Sequence, residues 1–97
     1  MTAVDGHQTF VRDFEIVNQR GLHARASAKF VSLVSGFNAL VNVEKDGVTV
    51  GGTSIMGLMM LAAGLGCRIR VSSSGPEAAD VMQALETLIT SRFGEEI

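Results

Sequence analysis

Polar and apolar residues alternate in several short stretches of the chain, and this period of two is typical of strands that bury one face. The pattern holds over residues 9–17 (TFVRDFEIV), over residues 41–44 (VNVE) and over residues 67–73 (CRIRVSS). A further short stretch, VTV, follows Asp46-Gly47, a dipeptide that favours a two-residue hairpin turn. The sequence therefore predicts four strands, the middle two joined in a hairpin.

Three other stretches carry their apolar residues at the spacing of an amphipathic helix. The first begins at Ala24 and is predicted to end at Gly36, because glycine favours the position after a helix. The second is IMGLMMLA, residues 55–62. The third begins at Pro76 and Glu77, since proline suits the first helical position and an acidic residue suits the first turn.

These elements follow one another in the order β-α-β-β-α-β-α. Because each predicted strand has one apolar and one polar face, one side of the sheet faces water and the helices cover the other. This is the two-layer arrangement of an α+β fold. A chain of 97 residues is the size of one domain. We expect the domain to span residues 10–97, preceded by a flexible N-terminal extension over residues 1–9.

Charge and composition narrow the classes of function. The net charge is −2, and the chain has five Phe but no Trp or Tyr, so no basic or stacking surface for nucleic acid is expected. No stretch has the roughly 18 consecutive apolar residues of a membrane span, and the polar N-terminus does not resemble a signal peptide. Cys67 is the only cysteine and cannot form an internal disulfide, which fits a reducing compartment. We expect a cytoplasmic protein.

The stretch GLHAR places a histidine, His23, at the start of the first predicted helix. The positive end of a helix disfavours imidazolium, and a neutral imidazole is a nucleophile. The same end offers the backbone N–H groups of Ala24, Arg25 and Ala26 as phosphate ligands. The Arg25 guanidinium adds a charged fork that pairs with phosphate oxygens. His23 and Arg25 are therefore the candidate catalytic residues of a site that attacks and holds a phosphoryl group.

A simpler interpretation needs no chemistry: His23 caps the helix, and Arg25 is a solvated residue of its first turn. Because short motifs often match by chance, the residues alone favour this structural interpretation. A metal site has less support still, since the other histidine, His7, lies in the predicted extension and no cysteine or carboxylate cluster has ligand spacing. Neither a metal nor a cofactor is expected.

The second predicted helix is apolar in nearly every direction, so part of it must face solvent or a partner. Thr53 or Ser54 is the predicted N-cap. Phosphorylation of Ser54 would place negative charge beside this apolar surface and weaken docking there, whereas the helix N-terminus would tolerate the charge. The simpler interpretation is a capping serine before a mostly buried helix, and the residues alone favour it.

Taken together, GLHARASAKFV and TSIMGLMML, at their separation in a βαββαβα chain, resemble the HPr family, the histidine-containing phosphocarriers of the bacterial phosphotransferase system. The resemblance runs from about Phe10 to Phe93. It implies an open-faced sandwich of four antiparallel strands with three helices on one face. It also implies that His23 takes a phosphoryl group on Nδ1 from phosphorylated enzyme I and passes it to a histidine of an enzyme IIA. Arg25 would stabilise the group in transfer.

The same resemblance assigns the second site and a docking surface. Ser54 matches the serine that HPr kinase phosphorylates in organisms that have this enzyme. The residues that would bind the partner proteins are Lys29, Phe30, Ile55, Met56 and Met59. Many family members have proline where this chain has Ala26. The resemblance implies a monomeric carrier that is not an enzyme in its own right, and it leaves sugar uptake and nitrogen-related signalling open.

Two other functions are compatible with these residues. One is a small α+β hydrolase of acyl phosphates, although VNQRGLH lacks the glycine-rich phosphate loop that such a site would need. The other is a purely regulatory protein that uses Ser54 and the apolar helix. In that case His23 would be inert.

Overall fold

The helices and strands follow the predicted order. The computed structural model describes residues 8–97, and the predicted extension up to residue 7 lies outside the described residues. None of the helices in this range is long and apolar enough to cross a membrane. The elements are β1 (Gln8–Glu15), α1 (Ala24–Ser35), β2 (Leu40–Lys45), β3 (Val48–Gly51), α2 (Ile55–Met60), β4 (Arg68–Gly75), α3 (Ala78–Thr90) and a final short turn (Arg92–Gly94).

The four strands form one antiparallel sheet in the order β1-β4-β2-β3, and the three helices cover one of its faces. Side chains alternate between the two faces of β4: Ile69 and Val71 are buried, while Arg68 and Arg70 are exposed. Burying one large apolar side chain contributes about 1.5–3 kcal/mol. The core side chains come from both layers, so their packing joins the helices to the sheet, as the open-faced sandwich predicts. The largest fully buried ones include Phe30, Phe93, Ile16, Leu58, Ile69, Leu85 and Ile89.

Several element boundaries differ from the prediction, and two of them have a visible structural cause. Strand β1 begins at Gln8, inside the predicted extension, because its first residues pair with the end of β4. Helix α3 begins at Ala78 and not at Pro76, because Glu77 has a non-helical backbone (φ −112°, ψ 30°). Glu77 pairs instead with Asn38: its N–H donates to the Asn38 carbonyl at 3.1 Å, and its carboxylate accepts from the Asn38 N–H at 2.5 Å.

The segment between β1 and α1 is held against the loop that follows α2. The N–H of Leu22 donates to the carbonyl of Ala63 at 2.9 Å. Gly21 has φ +66°, and a Cβ atom there would lie 2.4 Å from the Ala63 oxygen and 2.7 Å from Cα of Gly64. Only glycine combines a left-handed backbone with so close an approach. The chain therefore enters α1 at His23 from a fixed position.

We expect Gly21→Ala to lower the free energy of unfolding by more than the strain of placing alanine in a left-handed conformation. Gly66→Ala is the matched control, since Gly66 has φ +86° but no non-neighbouring atom within 4 Å of an added Cβ. The control should cost about 1–2 kcal/mol of unfolding free energy, and Gly21→Ala roughly 3 kcal/mol or more because backbone atoms must also move. Urea unfolding measures both. Equal losses would show that the approach to Ala63 does not constrain the segment.

Candidate functional site

His23 is the N-cap of α1. Its backbone is extended (φ −72°, ψ −178°), and its carbonyl accepts the first intrahelical hydrogen bond, from the N–H of Ser27 at 2.9 Å. Nδ1 of the ring accepts a hydrogen bond from the N–H of Arg25 at 3.3 Å. The side chain keeps 16% of its surface exposed. His23 thus has the capping role of the simpler interpretation, and this role places Nδ1 beside the unpaired N–H groups of the helix start.

A carboxylate from the other end of the chain binds the second ring nitrogen. Nε2 of His23 lies 2.5 Å from Oε2 of Glu95. Because Nδ1 accepts an N–H, it bears no proton, so the proton of the neutral ring sits on Nε2 and is donated to Glu95. The electron pair on Nδ1 is therefore the one available for bonding to a phosphoryl group.

Asn18 binds the Glu95 oxygen that the histidine leaves unbound. Its side chain is completely buried, and Nδ2 donates to Oε1 of Glu95 at 3.1 Å and to the carbonyl of Gly21 at 2.9 Å. These two bonds use both amide hydrogens of Asn18. Each Glu95 oxygen therefore has a different donor, and the carboxylate is fixed in position beside His23.

The Glu95 carboxyl is ionised at neutral pH. Partial burial acts to raise its pKa, but the hydrogen bonds from His23 and Asn18 and the nearby positive charge of Arg20 outweigh burial, so the pKa lies below its usual value of 4.5. A fixed negative charge therefore lies beside Nε2. This is where positive charge develops when Nδ1 forms a bond.

The phosphate ligands expected at the helix start are only partly accessible. Ala24 and Arg25 are exposed, and the Arg25 guanidinium forms no ion pair with another residue in the range 8–97. Ala26, in contrast, is completely buried. The prediction that the Ala26 N–H binds phosphate is therefore wrong, because the residue presents no surface to solvent.

Ser54 is the N-cap of α2, one of the two alternatives that the sequence left open. Its Oγ accepts a hydrogen bond from the N–H of Gly57 at 2.9 Å, and the residue is exposed. An added Cβ at Gly57 would lie 2.9 Å from this oxygen and 3.0 Å from Cβ of Val50. Glycine therefore lets α2 lie close to β3 while Ser54 caps it.

The outer side of α2 is apolar. Leu58 is buried, whereas Met56 and Met60 expose 68% and 75% of their surface. Exposed apolar patches mark interaction sites, and methionine side chains adapt to different partners. The α2 apolar surface, as we call it, consists of Ile55, Met56, Met59 and Met60. Three of the five predicted docking residues thus lie together at the surface.

The other two predicted docking residues are placed differently. Phe30 is completely buried, and the prediction that it binds partners is wrong because it lies in the same inward helical stripe as Ala26 and Val34. Lys29 is exposed, but its Nζ donates to the carbonyl of Phe93 at 2.6 Å. Its ammonium group is therefore engaged within the chain.

Sequence reasoning does not find Asn18 or Glu95. Asn18 belongs to NQRG, a stretch typical of a turn, and Glu95 lies near the end of the chain. Glu95 is 72 positions from His23, so no local spacing connects them. The one usable signal is that a nucleophilic histidine needs a group to orient its ring. That signal leaves ten acidic residues to choose from.

Comparison with known proteins shows which family the chain belongs to. The family model PTS-HPr, described as the PTS HPr component phosphorylation site, matches residues 10–91. The chain belongs to the HPr family. The phosphocarrier protein HPr of Cupriavidus necator is 48% identical over 84 residues, which cover 87% of this chain and 94% of the relative.

Solved HPr structures share the fold. HPr-C-His from Thermoanaerobacter tengcongensis matches with a TM-score of 0.87 and 41% identity, over 91% of this chain and 99% of that chain. An HPr dimer from the same organism matches with a TM-score of 0.72 and 39% identity, over 98% and 100% of the two chains. As a member of the HPr family, this chain is a phosphocarrier of the phosphotransferase system. These relatives give the acyl-phosphate hydrolase no support.

We expect Glu95 to stabilise the fold only at pH values where it is ionised. Its pKa is lower in the folded than in the unfolded chain, so its contribution is complete above the usual value of 4.5 and is lost as the pH falls through the lower folded value. Glu95→Gln should therefore be less stable than the wild type near neutral pH, and the two unfolding free energies should converge in acid. Urea unfolding at stepped pH measures this difference.

Glu96→Gln is the matched control for this titration. Glu96 is exposed and follows Glu95 in the chain. Its hydrogen bond with Arg92 uses the backbone carbonyl, so the substitution leaves this bond in place. Its unfolding free energy should run parallel to that of the wild type at every pH. If the difference between Glu95→Gln and the wild type stays constant into acid, the stabilisation does not depend on an ionised Glu95, and the prediction is wrong.

Proposed function

We propose that this chain accepts a phosphoryl group on Nδ1 of His23 from phosphorylated enzyme I and passes it to a histidine of an enzyme IIA. The observation that carries the proposal is the state of the ring. Nδ1 is unprotonated beside the first N–H groups of α1, and Nε2 is bound to the ionised Glu95. The same chemistry serves sugar uptake and nitrogen-related signalling, and the proposal covers both branches.

In the acceptance step, the electron pair of Nδ1 attacks the phosphorus atom carried by enzyme I. An N–P bond forms on His23 as the bond to the donor breaks, and the donor takes back the bonding pair. The ring becomes positively charged during the attack, and the Glu95 carboxylate, 2.5 Å from Nε2, stabilises that charge. In the second step, the N–P bond of His23 breaks as an equivalent bond forms on the enzyme IIA histidine. Because both bonds are of one type, the transfer is readily reversible.

The phosphoryl group is negatively charged and meets positive groups on the Nδ1 side of the ring. The N–H of Arg25 binds Nδ1 in the free protein and is released when Nδ1 forms its new bond. It can then donate to a phosphoryl oxygen together with the exposed N–H of Ala24. The Arg25 guanidinium supplies a full positive charge. These charges support Arg25 as the residue that stabilises the group in transfer.

Enzyme I and the enzyme IIA proteins dock in turn on the α2 apolar surface. Two observations support this docking role. The surface is exposed, and α2 packs against α1, the helix that His23 caps. A few side chains that become fully buried near the centre of an interface contribute most of its binding energy. Because both partners would use one surface, the carrier must leave the first before it meets the second. A monomer suits this exchange.

Intact-mass spectrometry tests the acceptor residue. After incubation with enzyme I, Mg²⁺ and phosphoenolpyruvate, the wild type should gain one phosphate that is labile to acid and stable to base, and His23→Ala should gain none. His7→Ala removes the other histidine and is the matched control. It should be phosphorylated as the wild type is. A phosphate on His23→Ala, or none on the folded wild type, would contradict the proposal.

Ser54 is the site at which HPr kinase would regulate the carrier. Its exposed hydroxyl lies at the start of α2 and borders the α2 apolar surface. A phosphate adds roughly −1.5 to −2 charge, which the start of a helix tolerates. The same charge would be desolvated beneath an apolar partner, and this cost weakens docking. Regulation at Ser54 would therefore act on partner binding and leave the fold intact.

We expect Ser54→Asp to weaken binding of enzyme I about tenfold, because one unfavourable interfacial charge costs on the order of 1.4 kcal/mol. Ser54→Ala is the control. It loses the N-cap hydrogen bond and about 1 kcal/mol of stability, but it adds no charge and should keep the wild-type affinity. Isothermal titration calorimetry with enzyme I measures both variants. If Ser54→Asp binds enzyme I as tightly as the wild type, negative charge at Ser54 does not regulate docking.

A further inference from the structure

The chain ends in a backbone turn of unusual conformation. Arg92, Phe93 and Gly94 have φ values of +60°, +54° and +78°. The left-handed conformation costs a residue with a side chain about 1–2 kcal/mol, so surrounding contacts must hold this turn. The Phe93 side chain, buried in the core, is one of them. We call residues 92–97 the C-terminal hook.

Besides the bond between His23 and Glu95, three hydrogen bonds tie the hook to α1 and to the segment before it. Their donors lie close to His23 in the sequence, and their acceptors are spread along the hook from its strained turn to its last residue. They are Lys29 Nζ to the Phe93 carbonyl (2.6 Å), Asn18 Nδ2 to Glu95 Oε1 (3.1 Å) and the Gln19 N–H to the Ile97 carbonyl (3.1 Å). The hook is therefore closed over the histidine from several points.

Lys29 makes the only one of these three bonds whose donor carries a full charge. Hydrogen bonds from an ammonium group are shorter and stronger than neutral ones. Lys29 forms no ion pair with a carboxylate in the part of the chain that the structure describes. Its acceptor, the Phe93 carbonyl, lies inside the strained turn, one residue before Gly94 and two before Glu95. Lys29 thus binds the hook where its backbone determines the position of Glu95.

We propose that Lys29 is a positioning residue for phosphoryl transfer: it holds the C-terminal hook closed, and the closed hook keeps Glu95 on Nε2 of His23. This inference rests on the proposed function and deepens it. It also differs from the docking role that resemblance assigns to Lys29. Without the ammonium group, the strained turn relaxes and Glu95 leaves the ring. The ring then loses both its orientation and the negative charge that stabilises it during attack.

The two roles of Lys29 predict different kinetics. A docking residue contributes to binding of enzyme I, so its loss raises KM for the carrier. A positioning residue acts only on the reacting ring, so its loss lowers kcat at unchanged KM. We expect Lys29→Met to lower kcat for phosphorylation by enzyme I by about 10- to 100-fold and Lys29→Arg to restore most of it. Lys45→Met is the matched control, since Lys45 is the other lysine and pairs with its neighbour Asp46. It should behave as the wild type.

A double-mutant cycle tests whether Lys29 acts through Glu95. In the Glu95→Gln background, the carboxylate is already absent, so Lys29→Met should produce little further loss of kcat. Independent losses that multiply would overturn the proposal, as would a raised KM with kcat unchanged in Lys29→Met.

Proton NMR of the unphosphorylated protein provides a readout that does not need enzyme I. The Nε2 proton of His23, held by Glu95, should give an exchange-protected downfield resonance in the wild type and in Lys45→Met. The resonance should be lost in Lys29→Met and in Glu95→Gln, and return in Lys29→Arg. If the resonance persists in Lys29→Met, Lys29 is not needed to keep Glu95 on His23, and the proposal is wrong. Failure of enzyme I to phosphorylate the wild type would instead overturn the proposed function, so the two proposals fail separately.

Discussion

The hydrogen bond between His23 and Glu95 joins the start of α1 to the end of the chain, and the site depends on both. On one side, the close approach of Gly21 to Ala63 fixes the segment that leads into His23. On the other, the buried Phe93 anchors the turn that carries Glu95. Each connection alone would leave one partner free to move. Together they fix the two groups at hydrogen-bond distance, although most of the sequence lies between them.

The two nitrogens of His23 face opposite electrostatic environments. Nε2 meets a carboxylate that is ionised at neutral pH, and Nδ1 meets the Arg25 N–H at the positive end of α1. This polarity places the ring proton on one nitrogen and, under the proposed function, leaves the other free to accept the phosphoryl group. It stabilises a ring that gains positive charge and a ligand that carries negative charge. The start of α1 and one distant carboxylate together create both environments.

Local periodicity predicts the fold well because each element here buries one face. The period of two locates the strands, the period of 3.6 locates the helices, and the GLHAR and TSIMG motifs locate His23, Arg25 and Ser54. The same periodicity places Phe30 on the inward side of α1, whereas the resemblance assigns it to the docking surface. The structure supports the periodicity, because Phe30 is completely buried. Asn18 and Glu95 could not be predicted, because their contacts form only when the last turn folds back onto the site. Contacts between residues so far apart in the sequence leave no pattern in residue spacing.

Ala26 shows how these long-range contacts bear on the chemistry. Proline, which the resemblance to the HPr family leads one to expect at this position, would fix φ in the first turn of α1 and carry no N–H. Alanine leaves that backbone freedom in place, and its burial prevents its N–H from serving as a phosphate ligand. The first turn must then be held by other means. The Arg25 N–H on Nδ1 closes the helix start, the Glu95 carboxylate binds Nε2 from the hook, and the Lys29 ammonium ties α1 to the hook further along the helix.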